Sequence, residues 1–181
     1  MQAKIKQLGL LQVYRYVPIF SICLLTISGL PMLIPTLAQQ MNYGATLSGS
    51  NLSPPVTTGA SGTAKFNVDQ QGNMVYQIDV KNINGVIGAH ISLKNGSDLA
   101  QVFNPYVEIS GKAGIPTGEI NGQLSKGTLQ TSDLSGPLFG KNITDLASLM
   151  NNGSVYVVVR TQAHENGEIQ GDINPLATSQ K

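Results

Sequence analysis

The sequence predicts an all-β fold, an antiparallel β-sandwich with one short helix, preceded by an N-terminal hydrophobic helix that acts as a signal or an anchor. Three observations support this prediction. Glycine is abundant, with 20 residues in 181, and only 12% of the residues are charged. Apolar and polar residues alternate in several short runs, which is typical of strands. After the N-terminal segment, only residues 133–153 show a helical pattern.

The clearest strand pair is a hairpin in the first half of the chain. In TAKFNVD, residues 63–69, the apolar side chains of Ala64, Phe66 and Val68 alternate with polar ones. The turn QQGN then leads into MVYQIDVKNI, residues 74–83, where alternate positions are again apolar. A repeat of two residues predicts antiparallel strands with one buried face.

Further short runs extend the strand pattern along the chain. They cover residues 43–51, 86–93, 100–109, 117–127 and 155–173, and the last of these is a hairpin. Its first strand, VYVVV, is apolar at every position, which predicts a strand that is covered on both faces or lies centrally in a sandwich. Asn142 or Thr144 can cap a short helix over residues 145–150, which Gly153 ends. Seven or eight strands with one helix predict a sandwich of immunoglobulin-like type.

The first 38 residues differ from the rest of the chain. Three basic residues precede an uncharged apolar stretch, residues 17–38, which ends with small residues at Thr36 and Ala38. This pattern predicts a secretory signal peptide or an uncleaved membrane anchor, since about 20 apolar residues can cross a bilayer; a buried core helix is the third interpretation. The predicted organisation is a signal or anchor over 1–38, a linker over 39–42, the domain over 43–174 and a flexible tail over 175–181.

The charge balance argues against a nucleic-acid-binding function. The formal net charge is +1, so no strong positive field is available to hold a phosphate backbone. Without residues 1–38 the chain keeps eight basic and ten acidic residues, a formal charge of −2. Cys23, the single cysteine, lies in the leader, so the remaining domain has neither a disulfide nor a thiolate metal site.

Four Asn-x-Ser/Thr motifs fit a location outside the cytoplasm. Asn95, Asn142 and Asn152 are the possible glycosylation sites. Asn51 begins the fourth motif, but Pro54 directly follows it and makes it the least favourable of the four. Chance is the alternative explanation, because Asn, Ser and Gly are common in this chain.

Three stretches, taken in order, are similar to one known family. They are ATLSGSNLSPPVTTGASGTAKFNVD, VYQIDVKNINGVIGAHI and DLSGPLFGKNITDLASLMNNGSVYVVVRTQAHENGEIQGDI. Together they resemble the CHRD domain, which occurs in chordin and in many exported bacterial and archaeal proteins. The resemblance runs from Tyr43 to Ile173. It implies an immunoglobulin-like β-sandwich, and it implies no settled biochemical activity.

The chain departs from this family pattern at two positions. Where relatives have His-x-His, the chain has His90 followed by Ser92, and where they have Val-His-Thr it has Arg160 in place of the histidine. If those histidines bind a metal in relatives, two candidate ligands are missing here. His164 follows in a turn, at a position that the family pattern does not mark.

The candidate metal ligands are His90, His164 and Glu168, with Glu165 and Asp172 in the same final hairpin. Imidazole and carboxylate groups suit zinc or copper, but a site needs three or four ligands that converge on one point. We therefore predict no metal and no other cofactor. On this prediction His90 is a half-buried strand residue and His164 is a solvated turn residue.

The sequence contains no complete set of catalytic residues. It has no Gly-x-Ser-x-Gly elbow and no phosphate-binding loop, and two histidines are too few for a two-metal superoxide dismutase. Glu119 and Glu168 could form a glycosidase pair. Both follow a glycine at the start of a strand, however, which favours a structural role. For Arg160 we expect an ion pair with Glu168 across the hairpin; contact with an anion or a partner is the alternative.

These patterns predict a non-enzymatic module outside the cytoplasm, secreted or membrane-anchored, which is structural or binds protein at the cell surface. Its partner would be an unknown protein or a cell-envelope component, with membrane contact through the N-terminal segment if that is uncleaved. The alternative is a copper- or zinc-binding domain or metalloenzyme centred on His90. A third hypothesis is an oligomeric envelope component that assembles through exposed strand edges.

Overall fold

The structure, a computed structural model, describes residues 41–106 and 118–177. The predicted signal or anchor over 1–38 and part of the predicted linker lie outside these residues. Within them, no helix is both long enough and apolar enough to span a membrane.

The described residues form nine strands and one α-helix, with three short 3₁₀ turns. The strands are β1 (Asn42–Ser48), β2 (Ser61–Val68), β3 (Met74–Asn84), β4 (Val86–Leu93), β5 (Asp98–Phe103), β6 (Glu119–Leu129), β7 (Val155–Thr161), β8 (Ile169–Asp172) and β9 (Asn174–Pro175), and the helix is α1 (Ile143–Asn151). The 3₁₀ turns are Gly49–Asn51, Thr131–Asp133 and Gly136–Leu138. The predictions of an all-β fold, antiparallel pairing and one short helix are confirmed.

All strands belong to one antiparallel sheet in the order β5-β4-β7-β8-β1-β2-β3-β6, with β9 beside β1. The predicted sandwich would divide these strands between two separate sheets. Instead, β1 pairs with β2 over its whole length and with β8 at Ser48 and Gln170, so the hydrogen-bonded pairing continues around this side. On the opposite side the edge strands β5 and β6 approach each other, and Ser125 Oγ donates a hydrogen bond to the Val102 carbonyl over 2.6 Å. The sheet is therefore nearly closed into a barrel.

A glycine allows the sheet to continue from β8 to β1. A Cβ atom at Gly171 would clash with the carbonyl oxygen of Thr46 on β1. Real Cβ atoms do not approach a backbone oxygen this closely, so any side chain here would push the two strands apart. The amide of Asn51 reinforces the crossing, because its Nδ2 donates to the carbonyls of Thr46 (3.2 Å) and Gln170 (2.8 Å).

Helix α1 covers one end of the hydrophobic core. It begins two residues earlier than predicted, and Asn142 is its N-cap, forming a capping box with Asp145. Leu146 and Met150 are fully buried in the core. The core continues through the inward side chains of the strands and through Ile173, which lies between β8 and β9. The largest of the strand side chains are Tyr43, Leu47, Phe66, Met74, Ile78, Ile83, Ile91, Leu99 and Ile169.

The prediction that the apolar strand β7 is covered on both faces is confirmed at Val158. Val157 and Val159 face the core, and Val158 on the opposite face is only 2% exposed. A Cβ atom at Gly167 would meet the side chains of both Val158 and Leu52, each at less than 3 Å. The loop after β1 and the turn before β8 therefore cover the outer face of β7.

The end of the domain pairs with its beginning. Asn174 and Pro175 pair with Gly44 and Tyr43 of β1, and the amide of Leu176 donates to the Asn42 carbonyl over 2.8 Å. Pro175 and Leu176 belong to the segment predicted to be a flexible tail. In the structure they lie against β1.

Candidate functional site

Four polar side chains from three adjacent strands meet on the outer face of the sheet. His90 and Ser92 lie on β4, Asp98 on β5 and Arg160 on β7; we call these four residues the polar cluster. Residues two apart on a strand share a face, which places His90 beside Ser92. Ser92 is opposite Asp98 in the β4–β5 register, and Gly88 is opposite Arg160 in the β4–β7 register. The missing side chain at position 88 leaves room for the imidazole, since a Cβ atom there would lie 3.1 Å from His90 Cε1.

The carboxylate of Asp98 is the centre of the polar cluster. Arg160 binds it with both terminal nitrogens, NH1 to Oδ2 at 2.9 Å and NH2 to Oδ1 at 3.0 Å. The Ser92 hydroxyl, which is fully buried, donates to Oδ1 at 2.5 Å. Planar guanidinium and carboxylate groups match in this two-bond arrangement, which fixes both side chains. The pair therefore connects the edge strand β5 to β7 across the intervening β4.

The polar cluster determines which nitrogen of His90 carries the proton. NH1 of Arg160 lies 3.1 Å from His90 Nδ1. A guanidinium has only donors, so Nδ1 must accept this hydrogen bond and the proton of the neutral ring must be on Nε2. A metal ion at Nδ1 would meet the Arg160 cation, and a metal ion at Nε2 would require that proton to leave. Both ring nitrogens are thus unfavourable metal ligands while Arg160 is in place.

The ionisation of the two titratable partners follows from burial and charge. Burial lowers the pKa of His90; the negative charge of Asp98 opposes this, and the positive charge of Arg160 adds to it. For Asp98, burial acts to raise the pKa, but the hydrogen bonds from Arg160 and Ser92 and the Arg160 charge lower it by more. The favoured state near neutral pH is therefore a neutral imidazole beside a carboxylate–guanidinium pair.

Glu168 has its own partners, away from the polar cluster. The residue is 8% exposed, and its carboxyl group accepts hydrogen bonds from the Thr58 hydroxyl (2.6 Å) and the Thr161 hydroxyl (2.8 Å). The predicted ion pair between Arg160 and Glu168 is wrong, because Arg160 pairs with Asp98 instead. Glu119, the other acid of the Gly-Glu repeat, is exposed and accepts from Asn121 at 2.7 Å. Glu168 therefore belongs to a buried hydrogen-bond network, whereas Glu119 makes an exposed hydrogen bond.

The candidate metal ligands named from the sequence have different partners. His90 is hydrogen-bonded to Arg160 and Glu168 to two threonines, whereas His164 lies in the turn between β7 and β8 with its amide bonded to Thr161 Oγ1 at 3.2 Å. In residues 41–106 and 118–177, no three His, Cys, Asp or Glu side chains form a group that could hold a metal ion.

Sequence reasoning missed Asp98 as a member of the polar cluster. Its side chain reaches Arg160 only because β5 pairs with β4 in a register that shifts at two places, between Ala89 and His90 and between Ile91 and Ser92. The Asn-Gly turn before Asp98 indicates a hairpin, but it does not fix the pairing after such irregularities.

The sequon asparagines lie in turns or at the ends of the helix. Asn95 is in the β4–β5 turn, where its Oδ1 accepts from the Ser97 amide at 3.0 Å, and Asn142 and Asn152 flank α1. All three are exposed. Asn51 is exposed as well, but its Nδ2, the atom to which a glycan would attach, already donates two hydrogen bonds across the β1–β8 crossing. Glycosylation of Asn95, Asn142 and Asn152 stays a prediction.

A family model described as the CHRD domain matches residues 43–173, which is nearly all of the domain just described. The chain belongs to the CHRD domain family. Chordin of Danio rerio is 32% identical to it over 128 residues, which are 71% of this chain and 12% of chordin. The chain thus corresponds to a small part of that relative. No solved structure gives a significant match.

The polar cluster contains the positions at which this chain departs from the CHRD family pattern. Positions 90, 92 and 160, where the resemblance implies histidines, come together in the structure around Asp98. In this CHRD domain only the first of the three is a histidine. Ser92 and Arg160 occupy the other two positions and make the hydrogen bonds described above.

Proposed function

We propose that the protein is a non-enzymatic CHRD module that acts outside the cytoplasm, in cell-surface structure or in protein contact. Its N-terminal segment would export the domain and either be cleaved after Ala38 or remain as an anchor. The partner would be a protein or another component of the cell envelope. The observation that carries this proposal is the pairing of the chemistry-bearing side chains with one another.

The polar cluster supports a structural role for the residues that an enzyme or a metal site would need. His90 is the side chain best placed for acid–base or metal chemistry, and Arg160 holds its Nδ1 at 3.1 Å. Asp98 is neutralised by the same guanidinium. A general base or a metal ligand needs a free lone pair that faces a substrate or an ion. The lone pairs of His90 Nδ1 and of the Asp98 carboxylate face Arg160 instead.

Glu168 supports the same conclusion from a second site. A buried carboxylate without a cation is costly unless hydroxyl or amide donors satisfy its oxygens. Thr58 and Thr161 provide one hydroxyl each, and these hydroxyls in turn accept the amides of Ala60 and His164. The acid is thus the centre of a network that joins the loop after β1 to the β7–β8 turn.

Metal binding is the alternative function, and elemental analysis distinguishes it. Full-length protein purified without chelators, together with its Arg160→Lys variant, should contain no stoichiometric zinc or copper. One tightly bound zinc or copper ion per wild-type chain would overturn the non-enzymatic structural assignment and favour the alternative centred on His90.

The location is tested separately on the native protein. Intact-mass measurement shows whether the chain begins at Gln39 or at Met1, and protease treatment of intact cells shows whether the domain is outside. We expect the domain to be accessible in either case. A full-length chain that is protected in intact cells and released only on lysis would contradict an extracytoplasmic role.

A further inference from the structure

A second surface, on the strands that flank the β1–β8 crossing, has unused hydrogen-bonding groups. It is a groove of about 580 Å³, within the roughly 300–1,000 Å³ range of small-ligand sites. We call it the β1 groove. Its floor consists of Gly44 and Thr46 on β1 and Thr63 and Lys65 on β2, and its far wall consists of Asp172 and Asn174.

The floor of the β1 groove displays donors in a regular arrangement. In the β1–β2 register Thr46 is opposite Thr63 and Gly44 is opposite Lys65. The two hydroxyls therefore lie side by side, with Lys65 on the same face of the sheet, and the side chain of Leu176 packs against Gly44. Within residues 41–106 and 118–177, none of these three donor groups has a hydrogen-bond or ion-pair partner.

The far wall adds acceptors. Asp172 Oδ2 accepts from Lys94 Nζ at 3.1 Å, and Asn174 Nδ2 donates to the Asp172 carbonyl at 3.3 Å. Asp172 Oδ1 and Asn174 Oδ1 accept nothing from the described part of the chain. A ligand in the groove would thus meet donors on the floor and acceptors on the wall.

The strand pairing and the lining exclude several ligand classes. An added peptide strand needs a free strand edge, but β1 pairs with β2 on one side and with β8 and β9 on the other. A flat apolar ligand would find only Leu176 and two alanines. A strongly acidic ligand would pair with Lys65 but would leave the acceptors Asp172 Oδ1 and Asn174 Oδ1 without a donor. A ligand rich in hydroxyl groups satisfies both surfaces, because each hydroxyl can donate and accept.

We infer that the β1 groove binds an uncharged oligosaccharide, with Thr46, Thr63 and Lys65 as donors and Asp172 and Asn174 as acceptors. The inference goes beyond the proposed function and uses none of the residues of the polar cluster. Binding of this kind is weak, because the groove has no aromatic side chain on which a sugar ring could stack.

The test uses the full-length chain in a detergent that carries no sugar headgroup. Saturation-transfer NMR is recorded with cellotetraose, chitotetraose and maltotetraose at millimolar concentration, and with polyglutamate as an anionic probe. Thr46→Val and Lys65→Met remove donors from the floor while keeping side chains that suit a strand. Each should weaken binding of the bound tetrasaccharide about fivefold, the effect of one hydrogen bond.

The sheet provides matched controls. Lys126 on β6 is opposite the same residue, Gln77, that is opposite Lys65 on β2, and it is exposed and outside the groove. Lys126→Met and Thr128→Val should therefore leave tetrasaccharide binding unchanged. The inference is overturned if none of the three neutral tetrasaccharides binds, if the control variants weaken binding as much as the groove variants, or if only polyglutamate binds.

Discussion

The polar cluster and the β1 groove contain similar side chains and use them in opposite ways. In the cluster, Asp98 accepts from Arg160 and Ser92, and every interaction connects strands. In the groove, the Thr46 hydroxyl and the Lys65 ammonium have no partner among the described residues. Polar groups that are paired with each other stabilise the fold, whereas groups that still face water remain able to bind a ligand. The residues that look most reactive in this sequence are therefore the ones least available for chemistry.

Glu168 shows how far this self-pairing extends. It is a buried acid for which the sequence predicts a cation partner, yet it is held by two hydroxyls. Glu119 also follows a glycine, but it is exposed. The same Gly-Glu sequence can therefore place its carboxylate in a buried network or on the surface. Burial, which depends on the loops that cover β7 and β8, decides between them.

The largest expected effect is at the strand that separates the two regions. Gly171 lies on β8, between the cluster strand β7 and the groove strand β1. Gly171→Ala places a methyl group against the Thr46 carbonyl and should lower the free energy of unfolding by about 3 kcal/mol in urea titrations. Gly59→Ala is the control, because a Cβ atom there meets nothing within 4 Å. Equal losses in the two variants would show that the β1–β8 crossing is not tightly closed.

The next effect is at the buried acid. Glu168→Ala leaves the hydroxyls of Thr58 and Thr161 without their acceptor and should cost about 2 kcal/mol of unfolding free energy. Glu119→Ala, at the equivalent position of the exposed Gly-Glu pair, should change stability by less than about 0.5 kcal/mol. Thermal and urea unfolding of both variants check the difference. A neutral result for Glu168→Ala would contradict the structural role of the network.

The polar cluster itself should contribute less, because it is partly exposed. Arg160→Ala leaves the Asp98 carboxylate without its cation, and we expect a loss of about 1–2 kcal/mol of unfolding free energy. Lys94→Ala breaks an ion pair whose side chains are 55% and 50% exposed and should cost about 0–1 kcal/mol. If the two losses are equal in the same urea series, the Arg160–Asp98 pair is only a surface ion pair.

The smallest effect is a dependence of stability on pH. The folded state lowers the pKa of His90, so the unfolded chain takes up the proton first as pH falls below about 6.5. The contribution of neutral His90 to the free energy of unfolding is therefore fully present above that pH, and it is lost as the pH falls toward the lower pKa of the folded state. His90→Gln should reduce the loss of melting temperature over this window. Identical pH profiles for the wild type and this variant would contradict the lowered pKa of His90.

Much of the fold could be predicted from the sequence, because the evidence for it is local. The alternation in β2 and β3, the N-cap at Asn142 and the apolar run in β7 are patterns of neighbouring residues, and the structure confirms each of them. Whether the strands form two sheets or one nearly closed sheet depends on the pairing of β1 with β8, which are separated by more than 100 residues. No local pattern predicts that pairing.

The site was harder to predict for the same reason. His90 and Arg160 could be named from the sequence, but Asp98 reaches them only through the register shifts between β4 and β5. Glu168, the expected partner of Arg160, is close to it in the sequence. It instead accepts a hydrogen bond from Thr58, which lies 110 positions from Glu168 in the sequence. Side-chain pairing across strands depends on register, which bulges change without a clear sequence signal.

The protonation of His90 tests most directly whether the polar cluster is a structural network. Nitrogen-15 NMR of histidine-labelled full-length protein at neutral pH should show the proton on Nε2, with Nδ1 as an acceptor, and the signals should not move on addition of zinc. A His90 ring protonated at Nδ1, or one whose nitrogen signals shift stoichiometrically with zinc, would contradict the account.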